Sequence, residues 1–374
     1  LSGFSIGMAL HITKETGILV KTLVKNNAKV AITSCNPLST QDDIVESLKE
    51  IADVFGRKGE SEEEYYQNLN SVIDKIKDSE RIAIIDDGGD LIGLIHDKYP
   101  KLLPKIKIAC EETTTGVVPL RNMERSGKLK IPVIAVNDNQ TKHLFDNYYG
   151  TGQSTLDGII RASNIMIAGK TVVIVGYGNC GSGVARVSQG MGANVVVCEI
   201  NPIKALKAQF DGYRVMQMKE ACGLGDIFIT VTGNKNVIPM WAIKKMKSGT
   251  ILANSGHFDC EIDRKLKRYP ITNIRPYFDK YKIGKRHGYL CGEGRLVNLA
   301  CAEGHPSIVM STSFCGQFLA LKYGIEHTLK NKVYTLPEEI DLEIAWYQLG
   351  AMGLKIDSLT KEQIEYLNSW NEGT

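Results

Sequence analysis

The sequence has no long apolar run. Its longest stretches, such as Thr171–Val175 and residues 195–198, fall far short of the roughly 18 residues that a bilayer span requires, so no transmembrane helix is expected. No charge of one sign dominates: 45 Lys and Arg stand against 42 Asp and Glu, a net charge of +3 without a basic stripe. That balance excludes nucleic acid and membrane surfaces as electrostatically selected partners and leaves small molecules. The nine cysteines, an odd number, include no C-x-x-C pair and no zinc-like spacing. Neither a disulfide framework nor a metal is expected; reduced thiols in a cytoplasmic enzyme fit this pattern. Residues 1–5 lack the charged region and apolar core of a secretory leader and read as a trimmed start. Low complexity and internal repeats are also missing. What remains is an ordinary globular composition, 43% apolar and 23% charged over 374 residues, long enough at about 150 residues per domain for two or three domains.

From Lys29 onward, short β-branched runs alternate with longer helical patterns, which is the signature of βαβ units and parallel sheets. The fold class is α/β. Strands are expected at Lys29–Thr33, 81–85, 107–110 and 132–136, and in a second set at Thr171–Val175, Asn194–Cys198, 227–231 and 250–253. A polar, mainly helical stretch over 137–170 separates the sets and marks a hinge.

Open α/β sheets bind ligands beyond the carboxyl ends of their strands. Each strand of the first set is followed by a polar segment: residues 34–43, then 86–90 (Asp-Asp-Gly-Gly-Asp), 111–116 (Glu-Glu-Thr-Thr-Thr-Gly), and Asn137 with Asp138. Any one of these can be a helix cap, and Ser39, Thr40 and Asp90 have that character. Four at successive strand ends point to a polar substrate pocket.

The second set opens on a cofactor motif. Gly176-Tyr177-Gly178-Asn179-Cys180-Gly181 is G-x-G-x-x-G between a strand and a helical pattern. Gly176 serves the tight turn, Gly178 the approach of the backbone to a pyrophosphate, and Gly181 the close packing of helix on strand. The next strand ends at Glu199, where a carboxylate accepts from ribose hydroxyls and repels a 2'-phosphate, so NAD is expected over NADP. Lys204 offsets part of that charge. Thr232, Asn234, Gly256 and His257 follow later strands and are placed on the nicotinamide side.

Seven blocks carry a family resemblance, in family order: residues 86–90, 111–116, 145–147 (Phe-Asp-Asn), 176–178, 256–259 (Gly-His-Phe-Asp), 293–298 (Glu-Gly-Arg-Leu-Val-Asn) and 304–307 (Gly-His-Pro-Ser). From about Gly3 to near the C-terminus the chain resembles the S-adenosyl-L-homocysteine hydrolase (adenosylhomocysteinase) family. The resemblance implies reversible hydrolysis to adenosine and homocysteine. Bound NAD+ oxidises the nucleoside 3'-hydroxyl, which acidifies the C4' hydrogen so that homocysteine leaves from C5'; water adds, and the alcohol is restored.

Carried over by position, Lys142 and Asp146 resemble the pair at O3', four residues apart and on one helical face, with the lysine expected at a lowered pKa. Asp87 resembles the C4' base; His11 and His257 share the proton at sulfur or the attacking water, in an order the residues leave open. Thr13 and Glu15 resemble adenine and ribose contacts, and Glu112 and Asn147 hold the ribose hydroxyls and the lysine. Asn298 and His305 join nicotinamide to substrate, and Thr113, Thr114 and Thr115 are assigned with Asn179 to the cofactor. A carboxylate at Glu15 accepts from the 6-amino group of adenine, which favours adenosine over inosine.

The chain departs from the family pattern at Thr151, where cysteine is usual, at Lys204, where asparagine is usual, and in ending at 370–374 without the Lys- and Tyr-bearing tail, which implies easier NAD exchange. The resemblance also implies a homotetramer in the cytoplasm. It implies two doubly wound parallel-sheet domains: a substrate domain from 1–150 completed by 307–336, and an NAD domain over 151–306. A helical segment follows at 337–374. Two alternatives stay open: a catalytically silent NAD-binding regulatory homologue, and S-inosylhomocysteine as the preferred substrate. A third, a plain dehydrogenase releasing NADH, leaves Lys142 without a purpose.

Overall fold

The computed structural model describes residues 1–370. Two sheets organise them. The first holds β1 (Ser5–Ala9), β2 (Lys29–Thr33), β3 (Asp53–Val54), β4 (Ile82–Asp86), β5 (Ile106–Glu111) and β6 (Val133–Ala135). The second holds β7 (Thr171–Val175), β8 (Asn194–Cys198), β9 (Arg214–Val215), β10 (Ile227–Thr230), β11 (Thr250–Asn254), β12 (Ile271–Arg275), β13 (Phe278–Ile283) and β14 (Arg286–Cys291). A late strand, β15 (Val333–Tyr334), returns to pair with β6, so the first sheet runs β15-β6-β5-β4-β1-β2-β3, parallel throughout. The second runs β12-β13-β14-β11-β10-β7-β8-β9. It is parallel except where β13 pairs antiparallel with β12 and β14.

This order decides where ligands can sit. From β1 the chain winds outward through β2 and β3, then returns to β4 on the other side of β1 and winds the opposite way. The neighbours β1 and β4 are therefore a switch point, with Ala9 level with Asp86. In the second sheet β7 and β10 play the same part, with Val175 level with Thr230. At such a point the two outgoing loops diverge and leave a crevice.

The strands form because both sheet faces are covered, so a fully buried parallel strand reads as a continuous β-branched run. Val172, Val173 and Ile174 are wholly buried; at about 1.5–3 kcal/mol per buried aliphatic side chain, such strands fix the sheets. On one face of the first sheet, Ala320 and Leu321 of the helix Ser307–Glu326 join Ile108 and Ile134 in one core.

The expected strands of both sets are present, with small shifts at their ends. The sequence reading missed β1, because Ser5, Gly7 and Ala9 give a weak β signal. Gly7 is needed there: a Cβ would lie 2.7 Å from Ile76. It also missed the hairpin β12 to β14, whose first strand is exposed along its length. The expected C-terminal segment 337–374 contains the helices Glu338–Ala351 and Lys361–Asn368; its last four residues lie outside the described ones.

Candidate active site

Both switch points open on one cavity of about 1100 Å³. Every site residue assigned from the sequence lines it except Gly181 of the cofactor motif. Gly181 lies behind the turn, where a Cβ would collide with the Gly176 carbonyl, in keeping with the packing role expected of it. A correction concerns segment 34–43: it does not reach the cavity. It braces from behind, with Ser39 Oγ 2.6 Å from His11 Nδ1.

His11 and Asp87 leave the first switch point side by side, because β1 and β4 are neighbours. His11 Nε2 lies 3.5 Å from Asp87 Oδ2, and His257 Nδ1, from the loop after β11, lies 3.6 Å from Asp87 Oδ1. Burial pulls the His11 pKa down to about 4, more strongly than the Asp87 charge raises it, so the ring is neutral at pH 7. Thr13 caps the helix Lys14–Lys25, accepting from Thr16 N, and Glu15 stands in its first turn on the cavity wall.

The second cluster is built by an unusual winding. After the short turn Gln140–Lys142, residues His143–Gly150 form a π-helix, in which residues five apart share a face. Lys142 Nζ therefore donates both to Asp146 Oδ2 at 2.7 Å and to Asn147 Oδ1 at 3.0 Å. Glu112 Oε1 lies 3.6 Å from the same ammonium. Asp146 also accepts from His305 Nδ1 at 2.6 Å, and Asn298 Nδ2 donates to His305 Nε2 at 3.2 Å.

The expectation of a lowered lysine pKa is overturned. Burial of Lys142 does lower it, but the charges of Asp146 and Glu112 overcompensate, and the ammonium is held above its ordinary value. Burial instead raises Glu112 to about 7, against the pull of Lys142. The two groups therefore titrate as parts of one cluster.

Sequence reasoning missed several groups that hold this cluster. Ser313 and Gln317 of the helix Ser307–Glu326 donate to the two Glu112 oxygens. Asp341, from the helix Glu338–Ala351, accepts from Gln140 N at 2.6 Å, Thr141 N at 3.2 Å and the Thr141 hydroxyl. It caps the turn that carries Lys142, where the N-cap residue Asn139 makes no side-chain bond. All three act across about 200 residues of chain, and no local spacing signals them. Asp341→Ala is expected to lower kcat about tenfold with little change in KM, because cap loss costs roughly 1–2 kcal/mol of local order. Asp341→Asn should recover part of it; steady-state kinetics on both variants check this, and an unchanged kcat in Asp341→Ala would remove Asp341 from the account.

The dinucleotide side fits NAD. Gly176 adopts φ +104°, a left-handed turn that a side chain resists, and Gly178 precedes the helix Asn179–Gly190, whose first residues Asn179 and Cys180 line the cavity. Glu199 directly follows β8, its carboxylate held by Tyr177 N at 2.6 Å, Ile200 N at 2.7 Å and Asn201 N at 2.8 Å. Thr232 and Gly233 are held by a residue the sequence did not flag, buried Glu261, which accepts from Thr232 N at 2.9 Å and Gly233 N at 2.8 Å. Thr113, Thr114 and Thr115 lead into the helix Thr114–Arg125 on the opposite wall, and Asn234, Gly256 and Asn298 complete the lining.

Fold and site together define an NAD-binding α/β enzyme with a polar acid-base pocket beside its dinucleotide turn. Comparison with known proteins agrees. Residues 1–100 match the family model of S-adenosyl-L-homocysteine hydrolase, and residues 147–304 match its NAD binding domain. The chain belongs to the S-adenosyl-L-homocysteine hydrolase family, is a hydrolase, and uses NAD as its cofactor. It is 54% identical to S-inosyl-L-homocysteine hydrolase of Methanocaldococcus jannaschii, over all of this chain and 90% of that one. It is 52% identical to adenosylhomocysteinase of Archaeoglobus fulgidus, over all of this chain and 93% of that one. The crystal structure of a dipicolinate synthase chain from Bacillus halodurans shares the fold, with a TM-score of 0.51 at 15% identity over 87% of this chain and 98% of that one.

Proposed function

We propose that the protein hydrolyses S-adenosyl-L-homocysteine reversibly to adenosine and L-homocysteine. The observation that carries this reading is the single cavity that joins the Gly176–Gly178 turn to both proton-handling clusters, Lys142 with Asp146 and Glu112, and Asp87 between His11 and His257. NAD+, when bound, supplies a hydride acceptor for C3' and later a donor that restores the alcohol. The protein's own residues manage protons. Lys142 sits against O3' and relays its proton into the cluster shared with Glu112 and Asp146. Asp87 removes the C4' proton once C3' is a ketone, and His11 and His257 serve the departing sulfur and the attacking water. Asn147 and Glu112 orient the ribose, Thr13 and Glu15 the base, and His305 fixes Asp146. Thr113, Thr114, Thr115, Gly176, Gly178, Asn179, Glu199, Thr232, Asn234, Gly256 and Asn298 hold the cofactor.

In this reading residues 1–150 with 307–336 form the substrate domain, 151–306 the NAD domain and 337–374 a helical segment. The enzyme works in the cytoplasm as a homotetramer, within methyl-group recycling. Because His257 and Asp87 come from different sheets, the site is complete only when the two units meet, which excludes water from the reactive ketone.

S-inosylhomocysteine is a second reading, since the relative from Methanocaldococcus jannaschii is named for that substrate. The Glu15 carboxylate on the cavity wall favours the amino base. Incubated with NAD+ in catalytic amount, the protein should release homocysteine faster from the adenosyl than from the inosyl substrate. Glu15→Gln should narrow that preference by about 10- to 100-fold, the worth of one charge-assisted hydrogen bond. An unchanged preference would remove Glu15 from base recognition, and no release from either substrate would leave the silent regulatory homologue as the better reading.

A further inference from the structure

We propose that His11, Cys35 and Asp87 form a binding site for a thiophilic divalent cation of the zinc class, whose occupation blocks the proton chemistry of the cavity. Cys35 has no part in the function proposed above and does not line the cavity. Among the described residues, these three are the one group of His, Cys, Asp and Glu whose ligand atoms converge, all within 4.8 Å of one another.

The distances suit a metal. Zinc binds nitrogen and oxygen at about 2.0–2.1 Å and thiolate sulfur at about 2.3 Å in a tetrahedron, so adjacent ligand atoms stand roughly 3.3–3.7 Å apart. Asp87 Oδ2 is 3.5 Å from His11 Nε2 and 3.7 Å from Cys35 Sγ. Two edges of the tetrahedron are thus already in place. The three residues stand one or two positions beyond the ends of β1, β2 and β4, adjacent strands of one sheet, which brings their side chains together.

The hydrogen-bond network aims the imidazole. Ser39 Oγ donates to the Asn36 carbonyl at 3.0 Å and so accepts from His11 Nδ1–H at 2.6 Å, leaving the Nε2 lone pair turned to Asp87. A ligating histidine is held in this way, its second nitrogen tied off by a neighbour. His11 ligates as the neutral imidazole and Cys35 as the thiolate, the forms in which these side chains bind a metal. On binding, the S–H bond breaks, the proton leaves to solvent and the sulfur electron pair goes to the metal. A mixed N, O and S donor set selects zinc-like ions and rejects Mg²⁺ and Ca²⁺, which prefer oxygen. Water from the cavity side supplies the fourth ligand. The consequence for turnover rests on the proton roles given to His11 and Asp87 above; the binding site itself does not.

The test separates the two. Co²⁺ added to the full-length, NAD-loaded protein without substrate should produce a thiolate-to-cobalt charge-transfer band and tetrahedral d–d bands. Cys35→Ser should lose the charge-transfer band, and Cys180→Ser, altered at a cysteine on the cavity wall, should keep it. No such band in the parent protein, or one that persists in Cys35→Ser, overturns the site. In parallel, adenosine release measured by chromatography should be inhibited by Zn²⁺, restored by chelator and insensitive to Mg²⁺, with Cys35→Ser at least about 100-fold less sensitive through loss of a thiolate ligand. Zinc inhibition undiminished in Cys35→Ser puts the inhibitory ion elsewhere and overturns the blockade. A cobalt band without inhibition upholds the site and overturns the proton roles. Turnover of metal-free Cys35→Ser, or of Cys35→Ala if serine disturbs folding, reports that the variant is native.

Discussion

Lys142→Met is expected to reduce adenosine release by about 10³-fold or more while the protein still binds NAD. General acid-base groups contribute roughly 10²–10⁴-fold, and methionine keeps the length of the side chain while removing both the charge and the proton relay. Lys142→Arg should not rescue activity, since a planar, bulkier guanidinium cannot take the place of the compact ammonium that donates to both Asp146 and Asn147 in this buried cluster. The fold should survive, because Asp146 keeps its bond to His305, and Glu112 keeps Ser313 and Gln317. Stability should nevertheless acquire a pH dependence. Burial already holds Glu112 above its ordinary value of 4.5, at about 7, with Lys142 opposing that rise. A carboxyl whose folded pKa is raised binds its proton more tightly when folded. Its contribution to stability is full below the unfolded value and is lost as pH rises through the folded one. Without Lys142 the Glu112 pKa moves further up, so Tm of the variant should fall more steeply than that of the parent from the ordinary carboxylate range to beyond pH 7. Thermal melts across that range and product chromatography check both claims; a rate within tenfold of the parent would take Lys142 out of the reaction.

The features legible in the sequence are those whose cause is local. Strand β7 reads directly because a doubly covered parallel strand must be apolar along its length, and Gly176 and Glu199 read because one short βαβ unit carries both. Lys142 and Asp146 are legible as a pair through the family resemblance, with their four-residue spacing agreeing. Asn147 is legible through the resemblance alone, since α-helical spacing does not bring it to the lysine; it joins because the backbone winds as a π-helix there. The sign of the Lys142 shift was illegible for another reason: burial acts on the residue itself, but the charges that reverse it include Glu112, which follows β5, and Asp87, which follows β4. Ser313, Gln317 and Asp341 are polar positions in helices whose neighbours give them no distinctive pattern. Their meaning appears only when β15 brings the late chain back to the first sheet. Strand β1 was hidden by Gly7, a residue that argues against a strand by propensity and is required there by contact with Ile76.

The second large effect belongs to Asp87→Asn, and it should differ in kind from the first. Asparagine preserves the shape between His11 and His257 but has no lone-pair charge with which to take a proton from carbon. Solvent deuterium exchange at C4' of bound adenosine should fall by about 10³–10⁴-fold, and homocysteine release with it. Oxidation at C3' depends on Lys142, more remote from this change, and 3'-keto nucleoside should still be recovered after acid quench; Lys142→Met should yield neither. The two variants therefore dissect one turnover into its proton steps. His11 and His257 both lie within reach of Asp87, so they are the groups that would sustain exchange if the carboxylate were not the base. Burial already lowers the His11 pKa, and removing the Asp87 charge lowers it further, which weakens His11 as a substitute base. Exchange persisting within tenfold of the parent in Asp87→Asn would move the C4' role to His257, whose imidazole shares the carboxylate from the opposite sheet.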